Sequence, residues 1–266
     1  MPVVLLMRIE AARARLLLPW ALALVMTGGC AAGAADPPPT PGPANELQAE
    51  ASRAPSAPTS GPGAVNDAPT SPPRFEAGIE PLRGPLRDEV VDRNWHPGCP
   101  VPIRDLRVAR VRYWGFDGEV HDGPLVLNEK VVDDVVGVFG RLFRAHFPIK
   151  HIALARRYRP DADRWNSTRD TTASFNCRPA TDVPGSVSQH SYGWAVDINP
   201  LQNPYVRGDG SVLRKAAKPY RDRSRGRRGM IHAGDIVVRS FARIGWEWGG
   251  DWTTLKDYMH FSLTGR

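Results

Sequence analysis

Cysteine is scarce: the 266-residue chain has three, Cys30, Cys99 and Cys177. That excludes a disulfide-dense scaffold, and the odd number leaves one thiol to be explained. Long apolar runs are also missing. The stretch Leu16 to Met26 (LLLPWALALVM) is too short for a stable membrane span, so a polytopic membrane protein is excluded. Between Ala31 and Arg74 there is no aromatic residue, and apart from alanine the only aliphatics are Leu47 and Val65. Such a segment cannot bury enough apolar surface to offset its chain entropy. Acidic residues number 28 against 35 basic ones, a net charge of +7, which suits an anionic partner without naming one. Proline is in excess: of 26, eleven fall between Asp36 and Arg74.

These shortages divide the chain. Arg8, Arg13 and Arg15 precede the apolar run, and the small residues Thr27-Gly28-Gly29-Cys30-Ala31-Ala32 follow it, which is the layout of an export signal over residues 1–30. Two readings of its end stay open. Cys30 after Gly28-Gly29 resembles the lipid-attachment cysteine of bacterial lipoproteins, although Thr27 stands where leucine is usual. The other reading is cleavage near Ala34 or Ala35, with Cys30 discarded. Residues 31–82 then read as a disordered, proline-rich tether, and residues 83–266 as one folded domain expected to be monomeric, with a start at about Phe75 as the alternative to Arg83. Every tryptophan except Trp20 lies beyond the tether.

Within the domain, Leu106 to Tyr113 (LRVARVRY) reads as a strand of approximate period two, followed by a turn at Phe116-Asp117-Gly118 and a second strand from Pro124 to Asn128. Glu129 to His146 reads as an amphipathic helix: Val131, Val132, Val135, Val136, Val138, Phe139, Leu142 and Phe143 recur at three-to-four spacing, Asn128 caps it and Pro148 stops it. A short strand, Ile149 to Ala155, and a polar loop to Gln189 complete this half.

Chemistry begins at Ser188-Gln189-His190-Ser191-Tyr192-Gly193-Trp194-Ala195-Val196-Asp197. In a strand from Trp194, Val196 and Ile198 face a core while Asp197 points the other way, and an acidic residue there wants a cation. His190, across the flexible Gly193, can fold back toward it. A second pair, Asp257 and His260, lies three residues apart near the C-terminus. Singly, each is an ordinary core histidine or strand-end cap. Two neutral imidazoles and one carboxylate, however, form a known catalytic zinc set with the fourth position left to water. Asp257 is then better placed to accept a proton from the zinc-bound water than to close the site as a fourth ligand.

Ser188-x-His190-x-x-Gly193-x-Ala195-x-Asp197 followed by Asp257-x-x-His260 resembles the signature of the bacterial cell-wall zinc metallopeptidases that include D-Ala-D-Ala carboxypeptidases and L-alanyl-D-glutamate endopeptidases. The phrases Trp248-Gly249-Gly250-Asp251-Trp252, Ser174-Phe175-Asn176-Cys177-Arg178 and Asn203-Pro204-Tyr205-Val206 look like the branch whose base is Asp. The resemblance spans roughly Gly98 to Phe261. It implies an α+β domain with a central antiparallel sheet flanked by helices, the hedgehog/DD-peptidase fold, and Zn2+ on His190, Asp197 and His260. It further implies Asp257 as general base, and peptidoglycan stem peptides as substrate.

The family also uses an arginine to stabilise the oxyanion. Arg178, in Phe175-Asn176-Cys177-Arg178, is favoured over Arg159, in Tyr158-Arg159-Pro160. Ser188 reads equally as a substrate-contacting hydroxyl and as a turn residue. In an exported chain Cys99 and Cys177 are expected to pair, since the zinc set is complete without a thiolate. Closing that loop stabilises by about 4–5 kcal/mol in the chain-entropy model. Arg207 to Arg228 holds nine Lys or Arg against Asp209 and Asp222. This basic run reads as a solvated loop, with attraction to anionic wall polymers or a membrane surface as the sharper alternative. No motif supports a nucleic-acid partner. The rival to an enzyme is a non-catalytic, zinc-containing wall-binding module.

Overall fold

In the computed structural model the described residues are 72–157 and 167–265. The export signal, Cys30, most of the tether and Arg159 lie outside them. Two long strands, β2 (Leu106–Trp114) and β3 (Val120–Asn128), form a hairpin whose register runs from Leu106↔Asn128 to Trp114↔Val120. Both faces of this hairpin are covered, which explains why β2 alternates only approximately. Ala109, Val111, Tyr113, Leu125 and Leu127 face the main core. Leu106, Val108 and Val126 face a second one with Val90, Phe175 and Cys177. The outer strand β1 (Ala77–Pro81) pairs antiparallel with β2. It lies within residues 31–82, read as tether, and between Phe75 and Arg83, the two starts that the sequence leaves open for the folded domain. Every residue of β1 is exposed, so backbone pairing holds it there and no hydrophobic pattern marks it. Helix α1 (Gly84–Arg93) follows, burying Val90.

Helix α2 (Val132–Arg144) buries Val132, Val135, Val138, Phe139, Leu142 and Phe143 along one stripe. Asp133 and Asp134 in its first turn and Arg141 and Arg144 in its last match the helix dipole. It starts later than the periodicity predicts. Asn128 Oδ1 accepts from Lys130 N at 3.0 Å, and Val131 N donates to Asn128 O at 3.1 Å. Asn128 therefore shapes a turn ahead of the helix and is not its N-cap. The stretch Ile149 to Ala155 makes only a single bridge, Ile152↔Thr172, and is not a regular strand. Ile149 and Ile152 are buried all the same, so their apolar spacing reported burial and not ladder pairing.

The expected single central sheet is also corrected: the α+β content is present, but among the described residues the strands form three small antiparallel sheets. The second contains β4 (Ala195–Asp197), β8 (His260–Ser262) and β6 (Glu247–Trp248), in the order β4-β8-β6. The third pairs β5 (Tyr205–Val206) with β7 (Lys256–Asp257). Helix α3 (Ile236–Ala242), capped by Asp235 Oδ1 on Val237 N at 2.8 Å and Val238 N at 3.1 Å, packs Phe241 on Phe261 of β8 with ring centroids 4.2 Å apart. The site sheet thereby rests on the same apolar core as α2. Among the described residues no helix is long and apolar enough to cross a membrane.

Candidate active site

His190 stands on a short 3-10 turn, Gln189–Tyr192. Ser188 Oγ accepts from His190 N at 3.4 Å, so the hydroxyl caps the turn, and it is not among the residues lining the cleft described below. The turn ends at Gly193 with φ 71°, where a Cβ would come within 2.6 Å of Asn128 N. Two backbones touch there, with Asn128 N donating to Gly193 O at 3.2 Å, which gives the signature glycine a steric reason. The chain then enters β4, where Asp197 sits directly opposite His260 of β8. Opposed residues share a face, so the two halves of the motif, 63 residues apart, meet as one antiparallel pair.

Three donor atoms converge. His190 Nε2 is 3.2 Å from His260 Nδ1, and Asp197 Oδ1 is 3.1 Å from each. Ser174 O accepts from His190 Nδ1 at 2.6 Å, which places the proton on Nδ1 and leaves the Nε2 lone pair facing the other two atoms. Burial, helped by His260, pushes the His190 imidazole toward its neutral form against the pull of Asp197. Asp197 is opposed by burial too. Its close polar contacts with His190 and His260 outweigh that and hold its carboxyl well below the usual range. Two imidazole nitrogens and a carboxylate oxygen this close could together hold a metal ion. Ligand bonds of about 2.0–2.2 Å in a tetrahedron give edges of about 3.3–3.6 Å, a few tenths of an ångström wider than the observed triangle, whose N, N, O donor set suits zinc.

Asp257 lies one short turn before His260, on β7. The Trp248-Gly249-Gly250 phrase holds that turn: a Cβ on Gly249 would lie 2.6 Å from Asp257 O, Trp248 Nε1 donates to Tyr258 O at 2.9 Å, and Lys256 Nζ donates to Gly250 O at 3.0 Å. Asp257 Oδ1 is buried without a hydrogen-bond partner. Burial, together with the charge of Asp197, raises its carboxyl to about 7, while His260, Arg178 and Arg214 pull the other way. A carboxyl poised there, beside the ligand set, is matched to taking and returning a proton near neutrality.

His190, Asp197 and Asp257 line a cleft of about 460 Å³. Its walls carry Arg93, Arg156, Arg157, Arg169, Arg178 and Arg214 against Asp92, which pairs with Arg157 at 2.6 Å, so outside Asp197 and Asp257 basic residues predominate. Arg178 lines the same cleft, its guanidinium donating to Pro179 O at 3.1 Å and Thr181 Oγ1 at 3.3 Å. Its neighbour Cys177 forms a disulfide with Cys99. The bonded sulfurs are not thiolates, so the nearby His96 does not complete a second metal site with them. Three participants carried no assigned role in the sequence reading: Ser174, whose carbonyl orients His190, Tyr205, and Arg214. Arg214 belongs to the basic run, so part of that run faces the cleft rather than only a wall or membrane surface.

Comparison with known proteins points to the same stretch of chain. The model of a protein family described as D-alanyl-D-alanine carboxypeptidase matches residues 181–263, the stretch holding all three donor residues and Asp257. The chain is similar to the peptidoglycan L-alanyl-D-glutamate endopeptidase CwlK of Bacillus subtilis (strain 168), 34% identical over 83 residues. That match covers 31% of this chain and 43% of the relative, so the chain spans less than half of that protein. No solved structure matches. Residues 181–263, which carry the motifs, are thus similar both to that carboxypeptidase family and to that endopeptidase.

Proposed function

We propose that this protein is a zinc-dependent peptidase that hydrolyses a peptide bond in peptidoglycan stem peptides. The observation that carries the reading is the triangle of His190 Nε2, Asp197 Oδ1 and His260 Nδ1, with edges of 3.1–3.2 Å, beside the buried and unpartnered carboxylate of Asp257. Zinc bound there would supply Lewis acidity to the scissile carbonyl and to the attacking water. Asp257 takes the proton from that water and passes it to the leaving nitrogen, so it acts first as base and then as acid. Arg178 stands in the same cleft as a fixed cation for the negative charge that builds on the carbonyl oxygen. Arg159, outside the described residues, is the alternative for this role. The cationic walls suit a peptide with free carboxylates. The scissile bond is D-Ala-D-Ala or L-Ala-D-Glu, the two activities named for the matching family and relative.

The proposed setting follows from the leader. An export signal over residues 1–30 takes the chain out of the cytoplasm, anchored through Cys30 or released by cleavage, and residues ahead of β1 act as the tether. The test is mass spectrometry of products from intact muropeptides treated with zinc-loaded protein and with Asp257→Asn. Cleavage by the first and not the second supports the reading, and the new termini identify the bond. Zinc bound without cleavage supports the wall-binding module instead.

A further inference from the structure

We infer that the Tyr205 hydroxyl is a further catalytic donor, placed to hydrogen-bond the carbonyl oxygen of the scissile peptide as that oxygen gains negative charge. The inference rests on the hydrolytic reading above and deepens it. Tyr205 and Asp257 are cross-strand partners in the β5–β7 pair, so their side chains leave the sheet on one face. Both line the cleft that holds His190 and Asp197. Both end in a buried polar atom with no hydrogen-bond partner, Tyr205 Oη and Asp257 Oδ1. Buried polar atoms are nearly always satisfied, and exceptions call for a cause. Of the unsatisfied atoms on residues lining this cleft, which also include Asn176 Oδ1, these two belong to cross-strand partners and are complementary: the phenol offers a donor and the carboxylate an acceptor.

The surroundings keep Tyr205 a donor. Burial, with the charges of Asp182 and Asp257, pushes the phenol up to about 12, so it stays protonated throughout the working range. Asp182 lies near the hydroxyl without a hydrogen bond of normal geometry. Its carboxylate is instead held by Arg207, through Nε at 2.7 Å and a second guanidinium nitrogen at 3.2 Å. The mount of β5 is rigid. Asn203, fully buried two residues earlier, donates from Nδ2 to Ile198 O at 3.1 Å and Gly229 O at 2.9 Å, and Tyr258 N donates to Pro204 O at 3.3 Å. A fixed donor closed off from bulk water gains strength as charge develops opposite it and costs no reorganisation at that moment. In the reaction the water oxygen bonds to the carbonyl carbon, and the carbon–nitrogen bond breaks. The water's proton goes to Asp257 and then to the leaving nitrogen, while Tyr205 neither gains nor loses a proton.

Tyr205→Phe removes only the hydroxyl. We expect kcat on stem peptides to fall roughly 10²-fold with KM little changed, because the bond matters mainly in the transition state. Zinc content should stay at the wild-type level. The melting temperature of the metal-free protein should be unchanged or higher, because an unsatisfied buried group has been deleted. Full kcat, a rise in KM alone, or a lowered melting temperature would each overturn the inference, the last by showing that the hydroxyl serves the fold. Wild-type protein that leaves the peptides intact overturns the hydrolytic reading and this inference with it. Active wild-type and inactive Asp257→Asn beside an unaffected Tyr205→Phe overturns this inference alone.

Discussion

His190 Nε2 lies 3.2 Å from His260 Nδ1 although 70 residues separate them in the chain, and Asp197 Oδ1 stands 3.1 Å from both. With His190 kept neutral by burial, its Nε2 lone pair and the Asp197 carboxylate are both available to a cation placed between them. Chelation should therefore lower the melting temperature and added zinc restore it. Ligand at a hundred times its Kd contributes about 2.7 kcal/mol. Asp197→Ala and His260→Ala should lose the zinc-dependent part. Calorimetry with and without zinc checks this, and equal metal dependence in wild type and Asp197→Ala would exclude the assigned ligand set.

Asp257 gives a pH signature in the metal-free protein. Its folded carboxyl sits at about 7 against an ordinary 3.8. A raised acid favours the protonated folded state, so its contribution is fully present below about 3.8 and is lost as pH rises through about 7. Asn does not titrate. The melting temperature of Asp257→Asn minus that of wild type should widen between pH 4 and 7 and level off above. A difference that stays constant over that window would contradict the burial argument.

Gly193 combines a left-handed φ of 71° with a contact that admits no side chain. Gly193→Ala should lose about 1–3 kcal/mol in urea unfolding. Because the residue ends the turn bearing His190, its zinc affinity should fall as well. A fully stable variant with wild-type zinc binding would show that the backbone contact with Asn128 can yield.

The Cys99–Cys177 bond fastens the segment whose Ser174 carbonyl orients His190 and whose Arg178 enters the cleft. Replacing both cysteines with serine should cost about 2–5 kcal/mol of stability, measured by denaturant unfolding under oxidising conditions. Activity should fall more steeply with temperature than in wild type. No change in unfolding midpoint would mean that the other contacts of residues 174–178 suffice.

For the oxyanion partner, Arg178→Ala should lower kcat about 10²–10³-fold with the zinc content intact, as loss of a donor to the developing charge does. Arg159→Ala should leave kcat near normal. The reverse pattern in steady-state kinetics would move the role to Arg159.

The ligand types were legible because the motif is local on each side: three residues set the spacing of Asp257 and His260, and one turn plus a strand sets that of His190 and Asp197. The strong stripe of α2 was legible for the same reason, since every third or fourth residue from Val132 to Phe143 meets the core. β1 was not, because its exposed residues carry no apolar pattern and its existence depends on the edge that β2 offers. Arg214 reads as one more residue of a basic run until the fold turns it toward the cleft.

The sequence by itself determined the chemistry available: two imidazoles, two carboxylates, an arginine beside a cysteine, and the glycines that allow their turns. Only the tertiary structure decided which of these atoms touch. The register of β4 on β8 places Asp197 opposite His260, and the register of β5 on β7 places Tyr205 opposite Asp257. Strand pairing between segments some 50 to 65 residues apart has no local code, because it depends on burial of Val196, Phe261 and their neighbours in a shared core. That burial also tunes the site: removal of water favours neutral His190 and raises the Asp257 carboxyl, while Asp197 stays ionised against burial through its contacts with His190 and His260.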